Sequence, residues 1–301
     1  MKISKLLQLF GSDANITATS KLLNEVKTLS IKGLHGSAKA LFAASLFSRN
    51  PKPYIYILND LENAGYFYHD LNQIFDRKNV LFFPSAYKRA AKYGQIDPAN
   101  EILRTEVLAQ LQKADQPNII VTYPDALAEK VVSQNTLSLN TLPISVNEEI
   151  GSEKISKLLD SQSFEYVDYV YEPGQYAMRG SILDVFSYSS EYPYRIDFFG
   201  DEVETIRSFD IESQLSKATF EQIQIVPHFG NSESRNSTLF DALPTNTVVG
   251  FEDIQWIESR IESVFSDELN IELNDIEMTS PNLLSKADFH TAIKPFKHIR
   301  F

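Results

Sequence analysis

Two stretches of the chain carry side chains whose types and spacing point to chemistry. Residues 33–40 read GLHGSAKA. This is the outline of G-x-x-x-x-G-K-[ST], in which backbone amides cradle phosphates, the lysine reaches them and the final hydroxyl binds magnesium. Gly33 and Lys39 keep their places and Gly36 lies between them, but Ala38 replaces the second glycine and Ala40 the hydroxyl residue. A methyl at Ala38 crowds a loop that depends on glycine geometry, and without the hydroxyl the metal lacks a protein ligand. The pattern predicts a vestigial nucleotide-binding loop formed by Gly33, Gly36 and Lys39, with weak anion binding at the helix start as its residual chemistry and no hydrolysis.

The second stretch is residues 164–210. Arg179, Arg195 and Arg207 lie there among eight acids between Glu172 and Asp210. For Arg195 and Arg207 the plain reading is pairing with strand neighbours such as Asp184, Asp197 or Glu204. Arg179 differs, because it enters a strand beside Tyr176 and Met178, a composition typical of interface anchors. His35 and His69 have no partner at metal-ligand spacing, so no catalytic residue and no metal ligand is expected. Lys88, Arg89 and Lys92 beside Tyr87 and Tyr93 form a local basic cluster, read as a solvated helix face rather than a phosphate contact.

The elements that must position these residues follow from hydrophobic periodicity. Short apolar runs at 53–58, 80–83, 118–122 and 247–251 have strand length and alternate with helical stretches at 60–75 and 98–113. That alternation argues for parallel βαβ units. Residues 21–29 and 40–47 read as helices, and 124–132 as an exit helix into a polar linker at 133–151. Further on, 150–159 reads as a helix, 222–226 as a strand, 232–244 as a helix and KPFKHIRF as a last strand. Between them, Pro173-Gly174, the serine-rich run 187–193 and Gly200-Asp201 divide Tyr-, Val- and Phe-rich segments into a small antiparallel meander of about three strands. Its clearest hairpin turns at Gly200-Asp201. Alternation puts Ile196 and Phe198 on one face and Arg195, Asp197 and Phe199 on the other, with Val203 and Ile206 as core on the return strand.

A chain of 301 residues holds two or three domains. Its net charge of −12 argues against direct binding to a phosphate backbone. The chain has no cysteine, which excludes disulfides and thiolate metal sites and fits a reducing compartment; the cytoplasm is expected. The first residues read as a short amphipathic helix, too short for a membrane span.

The pattern Tyr176-x-x-Arg179-Gly180-x-Ile182-Leu183-Asp184-x-Phe186, then Pro193-x-Arg195-Ile196-Asp197-Phe198-Phe199-Gly200-Asp201-Glu202-Val203, then Ile206-Arg207 and Phe209-Asp210, resembles the UvrA-interacting module shared by the bacterial repair proteins UvrB and Mfd. Its form is closer to Mfd, of whose amino-terminal region the whole chain looks like a fragment. The resemblance implies an α/β fold, a degenerate P-loop (RecA-like) helicase-type domain with an inserted small β-rich α+β module. It divides the chain into 1–143, 144–214 and 215–301, the last completing the α/β domain. It implies a non-catalytic scaffold that recruits UvrA in transcription-coupled nucleotide excision repair, with Arg179, Tyr176, Phe186 and Arg195 as contact residues and no cofactor, ATP included. RNA polymerase and DNA are partners of other regions of such proteins, and no membrane is involved. Glu252-Asp253 falls where helicases carry a metal-binding Asp-Glu pair, with the order reversed. The alternative is a fragment of a UvrB-like ATP-dependent DNA helicase, which would bind nucleotide through Lys39.

Overall fold

The computed structural model describes residues 3–75, 79–87, 97–113, 117–229, 235–272 and 283–301. The chain divides into two compact units, Met1–Ser133 with Arg235–Phe301, and Gln134–Ser234. In chain order the strands are β1 (Thr28–Ser30), β2 (Tyr54–Ile57), β3 (Val80–Phe83), β4 (Ile119–Thr122), β5 (Leu142–Ser145), β6 (Glu165–Tyr166) and β7 (Gln175–Arg179). They continue as β8 (Ile182–Val185), β9 (Tyr194–Phe199), β10 (Glu202–Phe209), β11 (Ser216–Phe220), β12 (Gln222–Ile225), β13 (Val248–Phe251) and β14 (Lys297–Arg300).

In the first unit six strands form an all-parallel sheet in the order β1-β14-β13-β2-β4-β3. The apolar runs of the sequence become β2, β3, β4 and β13, and every residue of β2, β4 and β13 is buried. That is the state of central parallel strands whose faces are covered by crossover helices. Helices Leu61–Ile74 and Pro98–Leu111 start where Asp60 and Asp97 accept hydrogen bonds from backbone amides of their first turns, and Pro98 needs no partner there. The expected helix at 21–29 is instead Ala14–Glu25 followed by β1. The edge of β14 offers Thr28–Ser30 a parallel ladder, a tertiary partner that local periodicity does not register. The exit helix read at 124–132 stops at Ala128, and that read at 232–244 is reduced to Leu239–Ala242 among the described residues.

The second unit is built on a six-stranded sheet in the order β11-β10-β9-β8-β7-β6, antiparallel except for β6 beside β7. One face carries the core, where Tyr176, Leu183, Val185, Ile196, Phe198, Val203 and Ile206 pack with Ile155 and Leu159 of helix Ser152–Ser161. Val203 and Ile206 are three residues apart, an odd spacing that plain alternation would send to opposite faces. The register of β10 against β9 shifts between Val203 and Thr205, and this bulge returns both side chains to the core. The polar text at 133–151 holds helix Gln134–Asn140 and β5, which pairs with β12 so that Ile144 lies opposite Ile223. This ladder and β11 explain why the unit is wider than the 144–214 segment: strands distant in sequence close its core.

Gly250, in the middle of β13, shows how tightly the parallel sheet is packed. A Cβ there would lie 2.4 Å from the Tyr56 ring. That ring is fully buried, stacked between Tyr54 and Phe301 with centroids 6.1 and 5.9 Å away, so it has nowhere to move. Gly250→Ala is expected to lower stability by about 1–3 kcal/mol, the usual cost of overpacking. Denaturant unfolding that leaves the midpoint in place would contradict this packing.

Candidate functional site: an arginine-bearing sheet face

The face of the second unit's sheet opposite the core is polar, and strand register decides what meets there. Ala177, Asp184, Arg195 and Arg207 form one row across β7, β8, β9 and β10. Arg179, Ile182, Asp197 and Thr205 form the next. Asp184 is 1% exposed, yet its carboxylate is shared by two guanidinium groups. Arg195 grips it in a fork, Nε donating to Oδ1 at 2.7 Å and Nη2 to Oδ2 at 2.9 Å. Arg179 also donates to Oδ2, and its other terminal nitrogen donates to the Asp168 carbonyl at 3.0 Å. Two charge-assisted partners offset much of the cost of burying a carboxylate. The bonds to Asp184 raise the Arg195 pKa further above its ordinary value, outweighing the opposing effect of burial.

Arg207 stands directly across from Arg195, and its charge is met by Asp197 at 2.9 Å. Asp197 also accepts from the Thr205 hydroxyl at 2.6 Å. The strand-neighbour pairing read from the sequence for Arg195 and Arg207 is therefore present. Arg179 has a strand partner as well, through Asp184.

The four residues picked from the sequence as contacts do not share one environment. Tyr176 is buried on the core face, donating to Asp160 at 2.6 Å. Burial first, and then that bond to a carboxylate, push its hydroxyl pKa up to about 12. Phe186 is buried with Val170 and Ala177 in a small cluster on the other side. Both build the sheet rather than its surface, because alternation carries Tyr176 inward and Val170 covers Phe186. Arg195 is mostly covered, its guanidinium 4.1 Å from the Phe209 ring centroid. Arg179 is the open one, with a side chain 36% exposed.

The exposed aromatics of this segment, none of them in that set, are Tyr166, Tyr171, Phe199 and Tyr169, and the last two lie by the arginine row. Phe199, at the end of β9 before the Gly200 turn, is 79% exposed and follows Arg195 and Asp197 on the same face. Tyr169 is 56% exposed and its ring lies 5.2 Å from the Arg179 guanidinium. For Phe199 the signal was present: period-two alternation already placed a large apolar side chain on a charged face. For Tyr169 there was none, since it lies outside any strand.

In the first unit, the loop before helix Ala38–Arg49 takes positive φ at Gly33 (87°) and Gly36 (54°). Lys39 forms an ion pair with Glu252, whose second oxygen accepts from Asn59 at 3.0 Å. Its neighbour Asp253 caps helix Ile254–Glu272, accepting from the Gln255 amide at 2.9 Å. The glycine-rich loop and the Glu-Asp pair, far apart in sequence, thus meet beyond the carboxyl end of β13, with one acid on Lys39 and the other on a helix start. Among the described residues no cluster of three or more His, Cys, Asp or Glu side chains is arranged to hold a metal ion. No described helix is long and apolar enough to cross a membrane. Lys88, Arg89, Lys92 and Tyr93 lie outside the described residues.

Comparison with known proteins places this geometry. The family described as "UvrB interaction domain" matches residues 142–229, beginning at the first residue of β5 and including every strand of the second unit. The transcription-repair-coupling factor of Escherichia coli K12 is 30% identical over 196 residues, 64% of this chain and 17% of that protein. That of Bacillus subtilis 168 is 28% identical over 197 residues, 65% of this chain and 17% of the relative. That of Staphylococcus aureus RF122 is 25% identical over 220 residues, 73% and 19%. The chain thus spans less than a fifth of the length of these relatives. Together with the sheet that the matched segment forms, these likenesses sustain the resemblance read from the sequence: over about two thirds of its length the chain is similar to bacterial transcription-repair-coupling factors, and its residues 142–229 match the UvrB interaction domain family.

Proposed function

We propose that this chain docks UvrA through the outer face of its UvrB interaction domain, and so serves transcription-coupled nucleotide excision repair as a non-catalytic recruitment scaffold in the cytoplasm. The observation that carries this reading is the presence of outward-facing Arg179 and Phe199 on one sheet face inside the matched segment. Exposed arginine and aromatic side chains on a rigid sheet are the usual anchors of a protein interface, because they lose little freedom on binding. Arg195 contributes by fixing Asp184, and with it Arg179. Tyr176 and Phe186 contribute by building the sheet. Contacts with RNA polymerase and DNA belong, on this reading, to parts of the relatives that this chain does not match.

The loop of Gly33, Gly36 and Lys39 is, in this proposal, a remnant of a RecA-like nucleotide site that needs no cofactor. Its lysine is engaged by Glu252, and Asp253 serves as a helix cap. The UvrB-like helicase alternative needs Lys39 to hold phosphates. Titration with ATP and magnesium in a calorimeter is expected to give no binding; a dissociation constant near the micromolar range, lost in Lys39→Ala, would restore the helicase reading.

Two substitutions separate docking from folding. Arg179→Ala should weaken UvrA binding at least tenfold, about 1.4 kcal/mol or more, while barely moving the thermal midpoint, because Arg195 still neutralises Asp184. Phe199→Ala should behave in the same way. Undiminished affinity in both variants would defeat the docking assignment. Asp184→Ala, in contrast, strands two guanidinium groups and should cost stability, about 3 kcal/mol, at the low end for a buried pair because Arg179 keeps contact with solvent. Urea unfolding of this variant with an unchanged midpoint would show that the charge cluster does not support the sheet.

A further inference from the structure

The outer face carries a charge imbalance. Arg207 is matched by Asp197, but Arg179 and Arg195 together face the single carboxylate of Asp184. Among these five side chains one positive charge is in excess, at a partly open site. Arg179 carries it outward. Of its five N–H donors, one is spent on Asp184 and one on the Asp168 carbonyl. The neighbouring Tyr169 ring lies 5.2 Å from the guanidinium carbon. A guanidinium set against an aromatic ring gains cation–π stabilisation without losing donors, and gains more when water is excluded.

We infer that Tyr169 is a specificity-determining residue of the docking face. It sets the orientation of Arg179 from one side, so that the unspent donors face a carboxylate on the partner. This inference rests on the docking reading above and names the chemistry of its central contact: an acidic side chain of the partner against the uncompensated Arg179, with the tyrosine ring excluding water beside it. The carboxylate supplies the missing negative charge, and a planar fork favours it over a neutral acceptor. Tyr169 is exposed and belongs to no strand, so its removal need not disturb the fold.

The experiment is a double-mutant cycle with the full chain and UvrA, following affinity by calorimetry and fold by thermal midpoint. Tyr169→Ala is expected to weaken binding about three- to tenfold. Tyr169→Phe, which keeps the ring, should stay within about twofold of the parent. In an Arg179→Ala background, Tyr169→Ala should add nothing, and if that background binds too weakly, Arg179→Lys replaces it. Raising salt should weaken the parent more than Arg179→Gln, since only the parent carries the charge pair. The inference is overturned if Tyr169→Ala binds like the parent while Arg179→Ala does not, or if its loss is undiminished without Arg179. Should Arg179→Ala bind like the parent while Phe199→Ala does not, this inference falls and the docking reading stands; if neither variant loses affinity, both fall.

Discussion

A carboxylate that is buried in a sheet face must be neutralised where it stands, and the second unit is arranged around that requirement at Asp184. Strand register puts Arg195 directly opposite and Arg179 one step along the diagonal, so that three strands, β7, β8 and β9, are joined by side chains as well as by their backbone ladders. The cluster costs desolvation that its ion pairs only partly return, which makes it weak as a source of stability and strong as a constraint on geometry. It holds one arginine nearly covered and the other at the surface in a defined direction. A flexible arginine on a loop would lose more side-chain freedom on binding.

The two faces of this sheet divide the labour. The core face, closed by helix Ser152–Ser161 and by the β5–β12 ladder, supplies the hydrophobic burial that a small sheet needs. The opposite face buries a small cluster around Phe186 and the Phe209 ring beneath Arg195, and carries charges and exposed aromatics beside them. The bulge in β10 makes the division possible. It keeps Val203 and Ile206 inside while Thr205 and Arg207 remain with Asp197 and Arg195 outside.

The first unit is an all-parallel sheet in which a turn holding Gly33 and Gly36 leads into a buried helix. At its carboxyl edge Lys39 and Glu252 neutralise each other. The unit is tightly packed at Gly250, and in its interior Arg104 pairs with Glu129 and Arg235 with Glu101.

Much of this was legible in the sequence, because hydrophobic period is a local property. Apolar runs of strand length, the helices between them, the Gly200 turn and the alternation along β9 depend on neighbours a few residues away, and these appeared as read. The stretch that carries the family-like spacing was equally legible, and the family model matches it. Tertiary structure decided what depends on distant residues. β1 is a strand because β14 lies beside it, and β5 because β12 does. Tyr176 and Phe186 are interior because of what covers them, while Arg179, in the same stretch of sequence, is open. Tyr169 meets Arg179 across a fold that no period encodes. Sequence pattern settles which side of a strand a residue occupies; only packing settles whether anything lies on that side.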